Sequence, residues 1–170
     1  LGQLARRCVY ATDFSVDDPR AAKSPLKTNP SASLHDIGDN VLLLEFHSKM
    51  NAIDEQIIDT YEYALDQLDA GEFAGLVVGN QDGKAFCAGL EFGTVRTQPV
   101  KLLRSFTKYG IKKTNLFQEV CWCWRELPIP VIAVLHGYCY GGGMQIALAA
   151  DFRITTPDCE MSIMEIKWGM

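Results

Sequence analysis

The hydrophobic pattern along this chain changes period several times, and each change marks an element. Val41 to His47 reads VLLLEFH, a nearly continuous apolar run that predicts a strand covered on both faces. A shorter strand is predicted before it, around Ser33 to Ile37, across the turn Gly38-Asp39-Asn40. From about Asp54 to Asp69 the period becomes helical: Ile57, Ile58, Tyr61, Ala64, Leu65 and Leu68 fall on one face, and Gly71 ends the run. GLVVGN, from Gly75, predicts a buried strand, and GKAFCAG, from Gly83, a strand bounded by glycines. Leu102 to Leu127 predicts a helix in two pieces, broken near YGIKKTN. Leu116, Phe117, Val120, Cys121 and Trp124 form the apolar stripe of its second piece. Pro128 and Pro130 close that helix, and VIAVLHG is a further buried strand. Gly141-Gly142-Gly143 then opens a helix, and DFRI and MSIM read as short final strands.

Strands alternating with helices predict an α/β fold, and 170 residues suit one domain with a sizeable core. Residues 1–33, rich in proline and small polar residues, read as a linker or N-terminal arm, and 34–170 as the domain. No repeat is visible in the sequence. The first residue is Leu rather than Met, which predicts a native start elsewhere.

A net charge of −5 argues against a nucleic-acid partner. The balance is uneven, since Arg96 to Lys113 holds six basic residues and no acid. Such a local face suits a phosphorylated small molecule or is a solvated helix surface. The six cysteines are scattered without a CxxC pair, and Cys121 and Cys123 fall on different helix faces. That spacing predicts no metal site and a reducing compartment. No apolar run is long enough for a membrane span, so the expectation is a cytoplasmic protein without a membrane partner.

The chemistry is concentrated at the glycines. A strand followed by a glycine loop and a helix start exposes unpartnered amides toward an anion. A dinucleotide fingerprint fails because Ile146 stands at its third glycine. A nucleotide-binding loop fails because Met144 and Gln145 replace its Lys and Ser/Thr. Two readings stay open. The glycines permit close helix–strand packing, or their amides converge with those of a second turn, AFCAGLEF, on one developing oxyanion.

KAFCAGLEF, PIPVIAVLHGYCYGGGMQIALAADFRI, MSIMEIKWG and the earlier KMNAID together resemble the crotonase superfamily, the enoyl-CoA hydratase/isomerase family. The likeness runs from about residue 34 to the end, in family order. SLHDIGDNVLLLEFHSKMNAID is similar to the crotonase domain that accompanies a hydroxyacyl-CoA dehydrogenase in fused β-oxidation enzymes. The resemblance implies a spiral of ββα units and an acyl-CoA thioester substrate, with no cofactor beyond the coenzyme A of that substrate. Family members usually continue several dozen residues past KWGM into helices that close the acyl pocket, so the domain is expected to be incomplete at its C-terminus. It also implies a homotrimer or hexamer for a full-length chain, or a place in a larger fused enzyme.

By the same resemblance the thioester oxygen meets the amides of Leu90 and Gly142. Lys49, Asn51, Ala52, Cys87, Ala88, Gly89 and Glu91 are expected along the coenzyme A arm, with Glu91 where the family often has Asp. Hydratases of the family use two glutamates. The later one is matched by Glu165, whereas the earlier position holds Gln145, which cannot accept a proton at neutral pH. Ile163, Met164, Ile166 and Trp168 flank Glu165 in sequence, an apolar setting that suits a proton-shuttling carboxyl group. One carboxylate can move a proton from C2 to C4, so enoyl isomerisation or weak hydration is expected. The competing expectations are an impaired acyl-CoA-binding module, suggested by Gln145, and an assembly subunit using the Val120–Trp124 helix. A Cys87/His136 thiol nucleophile is a further reading that no spacing supports. Asp151 and Arg153 are expected to make structural contacts at the helix-to-strand turn.

Overall fold

The computed structural model describes residues 24–80, 84–91 and 116–169. Thus the segment 1–23 and the basic run Arg96–Lys113 lie outside the described residues.

Three strands begin the fold: β1 (Lys27–Thr28), β2 (Ala32–Asp36) and β3 (Val41–Phe46). Each is antiparallel to the next, with Leu34 opposite Leu44. The β2–β3 turn uses three consecutive positive-φ residues, Gly38, Asp39 and Asn40, which fits the small and Asx-type side chains found there. Helix α1 (Glu55–Asp69) begins where Asp54 accepts hydrogen bonds from the Gln56 and Ile57 amides. Its buried face of Ile57, Tyr61, Ala64 and Leu68 matches the predicted stripe.

The remainder is built from three similar steps. Strand β4 (Gly75–Gly79) is followed by β5 (Ala85–Cys87) and later by α2 (Leu116–Trp122), which runs into a 3-10 turn at Cys123–Glu126. Then come β6 (Val131–Leu135), β7 (Tyr138–Tyr140) and α3 (Gly142–Ala149), and finally β8 (Phe152–Thr155), β9 (Glu160–Ser162) and α4 (Glu165–Trp168). The first strand of each step joins a six-stranded sheet of order β1-β2-β3-β4-β6-β8, parallel from β3 onward. The second joins a parallel three-stranded sheet, β5-β7-β9. The chain is therefore a spiral of ββα units, a repetition in space without a repeat in sequence.

The core lies between the large sheet, α1, the α2 turn and the small sheet. Leu34, Leu42, Leu44, Leu76, Phe86 and Trp124 are all essentially inaccessible. Trp124 packs on Tyr61 with ring centroids 4.1 Å apart, and the Tyr61 hydroxyl donates to the Val120 carbonyl. At the far edge the burial pattern reverses. Strand β8 exposes Phe152 and Ile154, and Ile163 before α4 and Ile166 within it are likewise exposed. Asp151 and Arg153 make the structural contacts expected of them: Asp151 accepts from the Val131 amide at 2.8 Å, and Arg153 donates to the Ala150 carbonyl.

Candidate active site

Two glycine-flanked turns meet at one end of the small sheet. After β5, the Ala88 amide donates to the Met50 carbonyl, the Ile53 amide to Gly89, and the Glu91 amide to Ile53. These bonds lay the Ala88–Glu91 turn against the 3-10 turn Lys49–Asn51. After β7, Gly141 takes φ +52 and ψ −121, a conformation that side chains disfavour, and caps α3. The turns touch: a Cβ on Gly89 would lie 3.5 Å from the Gly142 nitrogen, and one on Gly142 would lie 3.8 Å from the Leu90 nitrogen. Among the described residues, neither the Leu90 nor the Gly142 amide donates to another backbone carbonyl. Gly143 has a different reason. A Cβ there would stand 2.5 Å from the Cys87 carbonyl oxygen and 2.8 Å from its sulfur, so only glycine lets α3 sit on β5. Close packing thus accounts for Gly143, while the Gly142 and Leu90 amides lie near each other without a backbone carbonyl partner among the described residues.

A chain of polar side chains lines the same pocket as these amides. Gln145, one turn into α3, donates from Nε2 to Glu165 Oε1 at 2.7 Å. The Cys121 thiol donates to Gln145 Oε1 at 3.3 Å. The second Glu165 oxygen, Oε2, is buried without a hydrogen-bond partner among the described residues. Gln145, Glu165, Cys121, Leu90 and Gly142 line one open pocket with Ile53, Ile58 and Val120. It encloses about 350 Å³ of empty space, its solvent-facing mouth included. Burial, with the Glu165 charge nearby, pushes the Cys121 thiol up to about 11, so it remains a protonated donor at neutral pH.

The sequence-predicted residues divide on inspection. Leu90, Gly142, Gln145 and Glu165 come together. Lys49 is exposed, and Ala52 and Ala88 are half-buried, on the strip that adjoins the Leu90 turn. Glu91 also lies on that strip, half-buried beside Ile53. Asn51 is different: its side chain is buried and donates to the Ala85 carbonyl at 2.8 Å, tying the turn to β5. Cys87 is fully buried behind Gly143, and burial pushes its thiol up to about 12, which leaves no nucleophile there.

The surroundings expected for Glu165 need correction. Ile163 and Ile166 are 57% and 77% exposed, so they are not the buried apolar cover expected for it. The contacts come instead from the Gln145 amide and the bare Gly141 backbone, where a Cβ would lie 3.3 Å from Oε1. Sequence reasoning missed Cys121, which it assigned to the apolar stripe of its helix. The available signal was the different facing of Cys121 and Cys123; only the fold shows that Cys123 meets Tyr61 and Cys121 meets the pocket. No group of three or more His, Cys, Asp or Glu among the described residues could hold a metal. No helix among them is long and apolar enough to cross a membrane.

Comparison with known proteins bears on the family and the fold. The enoyl-CoA hydratase/isomerase family matches residues 36–170. A Bacillus subtilis protein named a probable 3-hydroxyacyl-CoA dehydrogenase is 33% identical over 153 residues, which is 89% of this chain and 18% of that protein. The fatty acid oxidation complex subunit alpha of Vibrio vulnificus is 29% identical over 127 residues, 73% of this chain and 17% of that subunit. Enoyl-CoA hydratase from Mycobacterium smegmatis superposes with a TM-score of 0.71 at 24% identity, covering 84% of this chain and 54% of its own. The Geobacillus kaustophilus enzyme gives 0.70 at 20% identity, covering 85% and 53%; at these identities the likeness concerns the fold. The chain spans under a fifth of these two relatives and about half of the two solved chains. With a matched segment of this extent, the chain belongs to the enoyl-CoA hydratase/isomerase family.

Proposed function

We propose that this chain carries an acyl-CoA site that shifts a double bond along an enoyl thioester, with hydration a slow side reaction. The observation that supports the reading is the 2.7 Å hydrogen bond from Gln145 to Glu165 in the pocket that the Leu90 and Gly142 amides also line. Of Gln145 and Glu165, only Glu165 can take a proton. The thioester oxygen would accept from both amides, which are fixed by the turns and need no reorganisation as charge develops. Glu165 would remove a proton from C2 of a 3-enoyl thioester. The electron pair passes into the dienolate, and the same proton returns at C4 as the double bond settles between C2 and C3. Gln145 cannot accept a proton and therefore cannot serve as the second base that efficient water addition needs.

This reading requires no cofactor beyond the coenzyme A of the substrate. Lys49 and the Ala88–Glu91 strip are the proposed path of that moiety. An impaired binding module is the competing reading, and turnover decides between them. Assayed in the full-length protein, cis-3-enoyl-CoA should be converted faster than trans-2-enoyl-CoA is hydrated. Glu165→Gln should lower isomerisation by roughly 10²–10⁴-fold, the usual scale for a general acid–base group. Unchanged turnover in Glu165→Gln, or faster hydration than isomerisation in the wild type, would overturn the proposal.

A further inference from the structure

We infer that Cys121 is a positioning residue for this site, holding the far end of the Gln145 amide so that the near end stays on Glu165. The inference rests on the catalytic reading of Glu165. Gln145 is an exposed residue with three rotatable side-chain bonds, and a single hydrogen bond to a carboxylate leaves it several alternative rotamers. Its amide is anchored at both ends here: Oε1 takes the Cys121 thiol at 3.3 Å, and Nε2 gives to Glu165 Oε1 at 2.7 Å.

The donor order admits one arrangement. A carboxylate only accepts, so the amide must present its NH2 to Glu165 and its oxygen elsewhere. The oxygen needs a donor, and the thiol supplies one. Its protonation at neutral pH, noted above, keeps that donor in place. With Oε1 of Glu165 occupied, Oε2 is the buried oxygen left without a described partner, so its lone pairs are the ones free to take a proton on the proposed reading. The chain Cys121, Gln145, Glu165 thus selects which carboxylate oxygen does the chemistry. Cys121 belongs to helix α2 and reaches the site because α2 packs on α3, so the device ties the two helices to the reacting group.

The test uses Cys121→Val, which removes the donor and fills the space with apolar atoms, and Cys121→Ser, which keeps a donor. In the full-length protein, Cys121→Val should lower kcat for enoyl isomerisation about five- to tenfold, the scale of one ordinary hydrogen bond. KM should stay within about twofold, since the thiol acts on the base rather than on substrate binding. Cys121→Ser should recover most of the loss, and Cys121→Val should add nothing in a Gln145→Ala background. Equal kcat for Val, Ser and wild type, or full additivity with Gln145→Ala, would overturn the inference.

Loss of turnover in Glu165→Gln with a neutral Cys121→Val would sink this inference alone. A readout independent of turnover is the Gln145 side-chain amide pair in ¹⁵N spectra. It should exchange faster with water in Cys121→Val than in wild type or Cys121→Ser. Identical exchange in all three would count against the proposal even if the isomerase reading itself had failed.

Discussion

The pocket has two walls made by different means. One is backbone: the Leu90 and Gly142 amides, held by turns in which Gly89 and Gly141 take positive φ. The other is side chain: Cys121, Gln145 and Glu165 in a hydrogen-bonded row. A backbone amide survives any substitution but proline, so the first wall fails where proline removes the N–H or where a replaced glycine moves the turn. A side-chain wall changes its chemistry with each residue. On the proposed reading, the first wall would set which charge is stabilised, and the second which proton moves.

The comparison breaks most severely at Gly143. Alanine there would place its Cβ 2.5 Å from the Cys87 carbonyl oxygen and 2.6 Å from the Cys87 Cβ, and both belong to a fully buried strand with little room to yield. Overpacking of this kind costs about 1–3 kcal/mol, so Gly143→Ala should lower the urea midpoint clearly. Displacing the start of α3 moves Gly142 and Gln145 together, and turnover should fall at least about tenfold. A variant with wild-type stability and turnover would show that the backbone wall is less constrained than its contacts indicate.

The two walls also differ in how far the sequence revealed them. Positive φ and close approach leave glycine as nearly the only acceptable residue, so a backbone requirement is written directly into the chain at Gly89, Gly141 and Gly143. The side-chain wall depends on which elements meet. Ile163 and Ile166 are neighbours of Glu165 in sequence but are exposed, one before the four-residue helix and one within it, so they misdescribe its surroundings. Cys121 sits beside Val120 on a stripe that reads as core, and nothing in the spacing says that the next helix over brings Gln145 to it. The repeating ββα units were hidden for a related reason. Each step meets different neighbours: β4 is central in its sheet and wholly buried, whereas β8 is an exposed edge. Shared geometry therefore imposes no shared sequence.

A smaller change, confined to the second wall, is Gln145→Glu. It would set two carboxyl groups at hydrogen-bonding distance, where both cannot ionise and one proton is shared. The pair would then offer an acid and a base together. Hydration of trans-2-enoyl-CoA should rise relative to isomerisation by roughly tenfold or more, within the range of one acid–base group. The folded variant would hold a proton that the unfolded chain has released. Its stability relative to wild type should therefore persist at low pH and decline as pH rises through loss of the shared proton. Paired denaturation curves at acidic and neutral pH check the sign, and an increasing relative stability with pH would refute the shared-proton account.

The smallest expected effect is the sharpest test of the contrast. Leu90 contributes both its amide and its side chain to the pocket, and Leu90→Ala removes only the second. Its backbone is fixed on either side, by the Ile53 amide on the Gly89 carbonyl at 2.8 Å and the Glu91 amide on the Ile53 carbonyl at 3.0 Å. Neither bond depends on what the residue carries beyond Cβ. The lost leucyl group widens the pocket beside Gly142, where its Cγ would lie 3.7 Å from a Cβ placed on that glycine. The change should therefore appear as altered acyl preference and a modestly raised KM, with kcat within about threefold of wild type, as for a loss of uniform binding. Removal of an oxyanion donor costs about 10²–10³ in kcat, so the two outcomes are well separated. A fall of that size in Leu90→Ala, with the protein folded, would mean that the side chain holds the amide in place and that the backbone wall does not stand by itself.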